Sequence, residues 1–325
     1  MDSAALSPFT DFCYLFLSIL LEGAPFILLG TIISGFIDAY LPPGLIDRWL
    51  PKNKVVAVFL SGLLGAVFPV CECAIVPVIR RLIKKGLPVS CAITYMLSAP
   101  IINPIVVIST MKAFSSSVGQ FSLRQNEAVE AYGPLFMTSS RLLIAFIVTV
   151  GVGLVVLKCR PSSILKNAVA PRPNGDDNGG HDHTHDASPE HGEKPNRLVL
   201  AMRTSMRDFI ETAMYFSIGV AITAVFKAYV TEDLILLFNQ SEVAGVGLMM
   251  VLAFVLSLCS TSDAFIAANF PVPQSAKLAF LVFGPMMDVK LVFMYLSVFK
   301  SKFVTILAVS LFFVIGILSY LWIRI

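Results

Sequence analysis

Two cysteines separated by one glutamate, Cys71-Glu72-Cys73, stand just past Pro69 inside a long apolar run. Thiol sulfur is a soft donor that prefers Cu(I), Zn(II) and trivalent arsenic to hard cations such as Mg(II) or Ca(II), and the carboxylate between the thiols adds charge for a cation. A second apolar run is broken by Cys259-Ser260-Thr261-Ser262-Asp263, which offers a third sulfur, hydroxyls and another acid. Glu22, Glu72, Glu211, Asp263 and Asp288 all lie in apolar surroundings. A charged side chain at a bilayer centre costs about 2.5–3.5 kcal/mol on insertion scales, so each needs a partner or a task. For Glu22 and Glu211 the task is proton carriage or charge balance for a bound cation, with helix capping or a local hydroxyl bond as the structural alternative. The isolated Cys13, Cys91 and Cys159 read as small apolar filler.

A different donor set occupies the middle of the chain. From Pro161 to Pro195 the sequence has no apolar period, and it carries every histidine of the protein: His181, His183, His185 and His191. Imidazoles alternating with Asp182 and Asp186 on a flexible chain can gather Zn(II) or Cu(II); a solvated low-complexity spacer is the plainer reading.

The elements that must position these groups come in two copies. Glu22 falls on Glu211, Gly30 on Gly219, Tyr40 on Tyr229, Cys71 on Cys259, Pro100 on Pro285 and Asn103 on Asp288, at an offset near 188 residues. Duplicated halves that bring polar groups to matching depths are a common plan of secondary transporters. The resulting division is a first membrane half over 1–158, a histidine-rich cytoplasmic linker over 159–200 and a second half over 201–325. Hydrophobic residues make up 56% and charged residues 14% of the 325, well outside the soluble norm of roughly 45–50% and 25%. The expected fold is an all-α polytopic membrane protein. Apolar stretches run over 12–37, 55–83, 87–111, 134–157, 208–230, 243–270, 273–299 and 303–323.

Stretches 55–83 and 243–270 are interrupted by proline, cysteine and paired polar groups, which disfavour a plain spanning helix and point to broken or re-entrant hairpins. Ser98 to Pro104 and Gly284 to Asp288 interrupt the stretches that follow, where Asn103 and Asp288 offer oxygens at equivalent depth and Lys290 stands close enough in sequence to pair with Asp288. If each hairpin returns to its starting side, every half crosses three times and the halves are inverted, which puts most Lys and Arg on one face with the linker. Full crossings would make the halves parallel and the charge split more even. Gly62, Gly65, Gly151 and Gly153 permit close helix approach, within the chain or between copies in a homodimer.

The run from Cys71 through Pro88, followed by Ala92-Ile-Thr-Tyr-Met-Leu-Ser-Ala-Pro-Ile-Ile-Asn-Pro-Ile-Val106, resembles the signature of the ArsP/YraQ permease superfamily. The Cys-Glu-Cys form with a histidine-rich central loop is similar to its copper/zinc efflux branch; another branch exports trivalent organoarsenicals. The resemblance implies a multi-pass inner-membrane exporter of a thiophilic species, with Cys71 and Cys73 as ligands and the Pro100/Asn103 break as a conduit wall. Cys259-Ser-Thr-Ser departs from a second Cys-x-Cys, which removes a symmetric four-thiol site.

Three functions compete. A copper or zinc exporter uses repeats, thiols, acids and histidines together; an organoarsenical exporter leaves the histidines idle; a membrane thiol oxidoreductase would use Cys71 and Cys73 as a redox pair but needs no duplication. No Gly-x-x-x-x-Gly-Lys-Ser/Thr run is present, so energy comes from protons or a downhill gradient, with no resident cofactor. The net charge of +3 reflects loop bias and not a nucleic-acid surface.

Overall fold

A computed structural model describes residues 8–42, 50–67, 70–121, 133–166, 197–229, 242–270 and 272–322. Apolar chain without water to bond its backbone must close its hydrogen bonds locally, and among the described residues every regular segment is a helix. In chain order these are α1 (Pro8–Tyr40), α2 (Lys54–Val67), α3 (Glu72–Lys84), α4 (Val89–Ser98), α5 (Pro104–Phe121), α6 (Gly133–Leu157) and a short α7 (Pro161–Ile164). There follow α8 (Arg197–Tyr229), α9 (Glu242–Leu256), α10 (Ser262–Asn269), α11 (Gln274–Met286), α12 (Val289–Val298) and α13 (Ser301–Trp322). Among the described residues, five stretches are long and apolar enough to cross a membrane: Phe9–Tyr40, Gly133–Leu157, Ala201–Phe226, Gln274–Val298 and Ser301–Trp322. The expected crossing over 87–111 is instead two shorter apolar helices, α4 and α5.

Two of the breaks end at a side chain that caps the next helix. α4 ends at Ser98 before Pro100, and α5 restarts at Pro104, with the Asn103 side chain accepting from Ile105 N at 3.0 Å. α11 ends at Met286 and α12 restarts behind Asp288, whose Oδ1 accepts from Leu291 N at 2.7 Å. Asn103 and Asp288 therefore do the same job, satisfying an orphan amide at a helix start.

Contacts fix the directions of the short helices. Val58 and Thr94 both meet Gly153, while Gly65 meets Ala99, so α2 runs parallel to α4. Because α3 ends in the turn at Lys85-Gly86, where Gly86 takes a left-handed φ of 108°, and α4 starts at Val89, the α2–α3 pair returns to the side it came from. Ala253 near the end of α9 and Asp263 at the start of α10 both meet Gly284 near the end of α11.

The two long helices α1 and α8 run antiparallel: Gly23 meets Phe216, Ser34 Oγ donates to Asp208 Oδ2 at 2.9 Å, and Gly35 meets Ala201. Their other neighbours differ, since α1 lies on α3 and α8 on α12. Arg81 ties this corner together with paired bonds to Asp208, both at 3.0 Å, and a 3.4 Å contact to Asp38. The segment around α7 is also anchored. Leu165 pairs with Phe299 in an isolated antiparallel bridge, with Lys300 N donating to Ile164 O at 2.9 Å and Lys166 N to Val298 O at 3.2 Å.

Gly62, Gly65 and Gly153 are all used within the chain, whereas nothing lies within 4 Å of a Cβ placed at Gly151. At Gly30 a Cβ would stand 2.7 Å from Ala74 Cα, closing the approach of α1 to the cysteine-bearing helix. Gly30→Leu is expected to cost roughly 1–3 kcal/mol of stability by overpacking, read as a lower melting midpoint of the detergent-purified protein. Gly151→Leu should leave the midpoint unchanged, and equal effects of the two would contradict this packing.

Candidate functional site

Cys71 is the residue before α3, extended at φ −72° and ψ 163°, and its carbonyl accepts from Ala74 N and Ile75 N. Glu72 and Cys73 open the first turn, a place where the helix dipole favours a carboxylate. On the other wall α9 stops at Leu256, and Ser257 takes a φ of 46°. That left-handed conformation costs a serine about 1–3 kcal/mol and persists only where its surroundings hold it. Here Thr223 Oγ1 donates to Ser257 Oγ at 3.3 Å, and the backbone leads directly into Cys259.

These two breaks face one cavity of about 40 Å³. Cys71, Glu72 and Cys73 line it from one side, Ser257, Leu258 and Cys259 from the other, with Lys290 from α12 and Ile19, Glu22, Phe26 and Phe216 from the long helices. The volume suits a few waters or one small solute. Glu72 is buried and accepts at Oε1 from Lys290 Nζ and at Oε2 from Ser260 Oγ, both at 3.4 Å. Lys290 Nζ also donates to Ser257 O at 3.0 Å and to Leu258 O at 3.3 Å, and lies 3.5 Å from Asp288 Oδ2. The expected local pairing of Lys290 with Asp288 is thus present, inside a wider cluster.

The remaining expected residues separate. Thr261 Oγ1 donates to Cys259 Sγ at 3.5 Å, and Ser262 begins α10. Asp263 is buried beside Gly284, away from the cavity wall, with Oδ2 lacking a hydrogen-bond partner. Asn103 is buried at its cap and does not line the cavity, while Asp288 reaches it through Lys290. Glu22 and Glu211, equivalent in sequence, have unlike surroundings: Glu22 stands exposed at the cavity's edge, and Glu211 accepts from Arg80 at 2.6 Å. His181, His183, His185 and His191 lie outside the described residues. Among the described residues no three His, Cys, Asp or Glu side chains are close enough to share one ion, so in this state the three sulfurs share a cavity without converging on a point.

Arg141 belongs to the site although the sequence reading passed it over. It is 1% exposed in the middle of α6, donates to Thr110 Oγ1 at 2.7 Å, and donates to Ser260 O at 3.2 Å, holding the second break from behind. The signal was available: an arginine inside a membrane segment always has a partner to find.

Residues 9–323 match a family model, ArsP_1, described as "Predicted permease". The chain belongs to this permease family. ArsP_1 relatives include the UPF0718 protein YcgR of Bacillus subtilis, 37% identical over 93% of this chain and 94% of its own length. A Streptococcus mutans protein, whose name describes it as a subunit of a two-component membrane permease complex, is 35% identical over 89% of this chain and 87% of its own. The UPF0718 protein MJ0584 of Methanocaldococcus jannaschii is 27% identical over 29% of this chain. No solved structure matches the chain. With family and helices together, this ArsP_1 member is a multi-pass protein of the bacterial cell membrane.

All six cysteines are free, and their burial ranks their reactivity. A small thiol reagent is expected to reach exposed Cys159 first, then half-buried Cys13, Cys71 and Cys259, and last Cys73 and Cys91, which are 6% and 1% exposed. Mass spectrometry of the folded protein in detergent reads that order; Cys73 labelling as fast as Cys71 would contradict the geometry of the α3 start.

Proposed function

We propose that the protein is a permease that exports a thiophilic cargo, Cu or Zn, gripped by Cys71, Cys73 and Cys259. The observation that carries this reading is that sulfurs from two breaks, one in each part of the chain, line the same small cavity with a carboxylate between them. Soft donors in a gap of membrane-embedded backbone suit such a cargo, and unwound segments at mid-depth are where transporters of this kind hold their substrates. Loading draws the cysteine-bearing segments inward, since the sulfurs do not converge beforehand. Asp263 and the hydroxyls of Ser260, Thr261 and Ser262 serve the path beyond them, and Glu22, at the cavity's edge, carries the coupling proton, whereas Glu211, expected to share that task, is held by Arg80.

The same reading takes 1–158 and 201–325 as inverted halves joined by a cytoplasmic linker over 159–200. Supporting it, α1 and α8 correspond in sequence and run antiparallel, α2 packs with α4 and α6 as α9 packs with α11 and α13, and Glu72 meets Ser260, its own equivalent 188 positions on. The histidines of the linker would gather the metal before transport. A second subunit has its precedent in the Streptococcus mutans relative named for a two-component complex.

A trivalent organoarsenical is the second reading. It is favoured by Phe26, Phe216 and Ile19 beside the thiols, which give a methyl or aryl group an apolar surface.

Uptake of Zn(II), Cu(I) and methylarsenite into inverted vesicles tests both. Cys71→Ser/Cys73→Ser is expected to lower uptake of the true cargo by about tenfold or more, the scale on which even outer-shell changes act at metal sites. Deletion of 176–193 should change zinc or copper tolerance of cells and spare methylarsenite tolerance. Undiminished uptake by the serine variant would remove the thiols from the pathway.

A further inference from the structure

The cavity wall carries a cation that thiol chemistry does not require. Lys290 is 5% exposed, and its Nζ is surrounded by four oxygens: Ser257 O at 3.0 Å, Leu258 O at 3.3 Å, Glu72 Oε1 at 3.4 Å and Asp288 Oδ2 at 3.5 Å. Two are carbonyls freed at the end of α9, where the helix dipole is negative. One of them is aimed by the left-handed Ser257. The other two are carboxyl oxygens, so two acids face one ammonium. Hard oxygens converging in this way form a cage for a positive charge, and the charge in it belongs to the protein.

The backbone under that charge is fixed. Position 219 on α8 has no side chain, and a Cβ there would stand 2.6 Å from Lys290 Cα. The four-carbon stem above it is flexible, with an ammonium that can exchange partners. Glu72, which takes one of the bonds, is flanked by Cys71 and Cys73 on the same cavity wall. A cation arriving among the sulfurs therefore meets an ammonium already paired with the carboxylate that would balance it.

We propose that Lys290 is a tethered counter-ion that competes with cationic cargo. It occupies the oxygen cage while the thiols are empty, gives up Glu72 when a cation settles among Cys71, Cys73 and Cys259, and helps expel that cation on returning. This rests on the thiol-cargo reading above and adds what that reading lacks, a means of release from a tight soft-donor site. It also separates cargo by charge: Zn(II) and Cu(I) compete with Lys290, whereas an arsenical that condenses with thiols to a neutral adduct, losing its hydroxyls as water, does not.

The test uses the full-length protein with three probes: Zn(II), Cu(I) and methylarsenite. Lys290→Met removes the ammonium, and Lys290→Met with Asp288→Asn removes a pair of opposite charges, keeping the buried balance should the single variant fail to fold. Equilibrium binding in detergent and turnover in inverted vesicles are both measured. The expected result is a split: binding of Zn(II) or Cu(I) tightens by about tenfold or more, as removal of a nearby like charge predicts, while turnover falls, and methylarsenite affinity stays where it was. Lys290→Arg, which keeps the charge, should show no tightening. Unchanged or weaker metal binding in the lysine variants, beside normal binding by the native protein, overturns the counter-ion assignment alone. Equal tightening for the neutral arsenical also overturns it. Absence of binding of all three probes by the native protein overturns the thiol-cargo reading and this one with it.

Discussion

Backbone that leaves its helix inside a membrane has no water to turn to, and every amide and carbonyl it frees must be answered by the protein. Where helices break among the described residues, the freed carbonyls are answered by side chains remote in sequence and the freed amides by local caps. The carbonyls of Ser257 and Leu258 are taken by Lys290, and that of Ser260 by Arg141. The amides that open α5 and α12 are taken by Asn103 and Asp288. Lys290 and Arg141 thereby hold the unwound segment that carries Cys259, and Asn103 and Asp288 hold the starts of the helices that follow.

One consequence is that the groups needed to stabilise the gap are the groups that give it chemistry. Lys290 donates to two carbonyls, and its ammonium is balanced by two acids, Glu72 and Asp288. Glu72 in turn sits between the two thiols because α3 begins there, where an acidic residue is favoured by the dipole. Structural satisfaction and a polarised, thiol-lined cavity are therefore the same set of contacts. The long helices contribute little polarity of their own: Glu22 borders the cavity, while Glu211 is committed to Arg80 and Asp208 to Arg81.

Much of this was legible in the residues. Clustered polar side chains and proline inside apolar runs marked where helices stop: the break over 98–104 falls as expected, that at 259–263 comes two residues earlier, and that at 284–288 is confined to 287–288 because Pro285 stays inside α11, as Pro25 stays inside α1 and Pro77 inside α3. The all-helical, membrane-spanning class followed from composition together with the length of the apolar stretches. The meeting of the two breaks was suggested by equivalent positions, and Cys71, Glu72, Cys73 and Cys259 do share one cavity. What stayed hidden depends on helix rotation. Whether an acid in an apolar stretch points inward, toward a partner helix or toward lipid is set by packing, so Glu22 and Glu211 read alike and ended differently. Arg141 was passed over for the same reason, since its partner Ser260 lies 119 positions away.

The two buried cations behind the breaks also differ in kind, and the difference bears on which part of the site can move. Arg141 is held at both ends of its fork, by Thr110 at 2.7 Å and by Ser260 O at 3.2 Å, and a planar guanidinium keeps its bonds only in one orientation. It acts as a strut between α5, α6 and the second break. Lys290 has four oxygen neighbours at 3.0–3.5 Å, none of them short, and a point charge on a flexible stem can trade one for another at little cost. A rigid cation on the far side of Ser260 and an adjustable one on the cavity side of Ser257 leave the segment between them, with Cys259 inside it, anchored at one end and free to shift at the other.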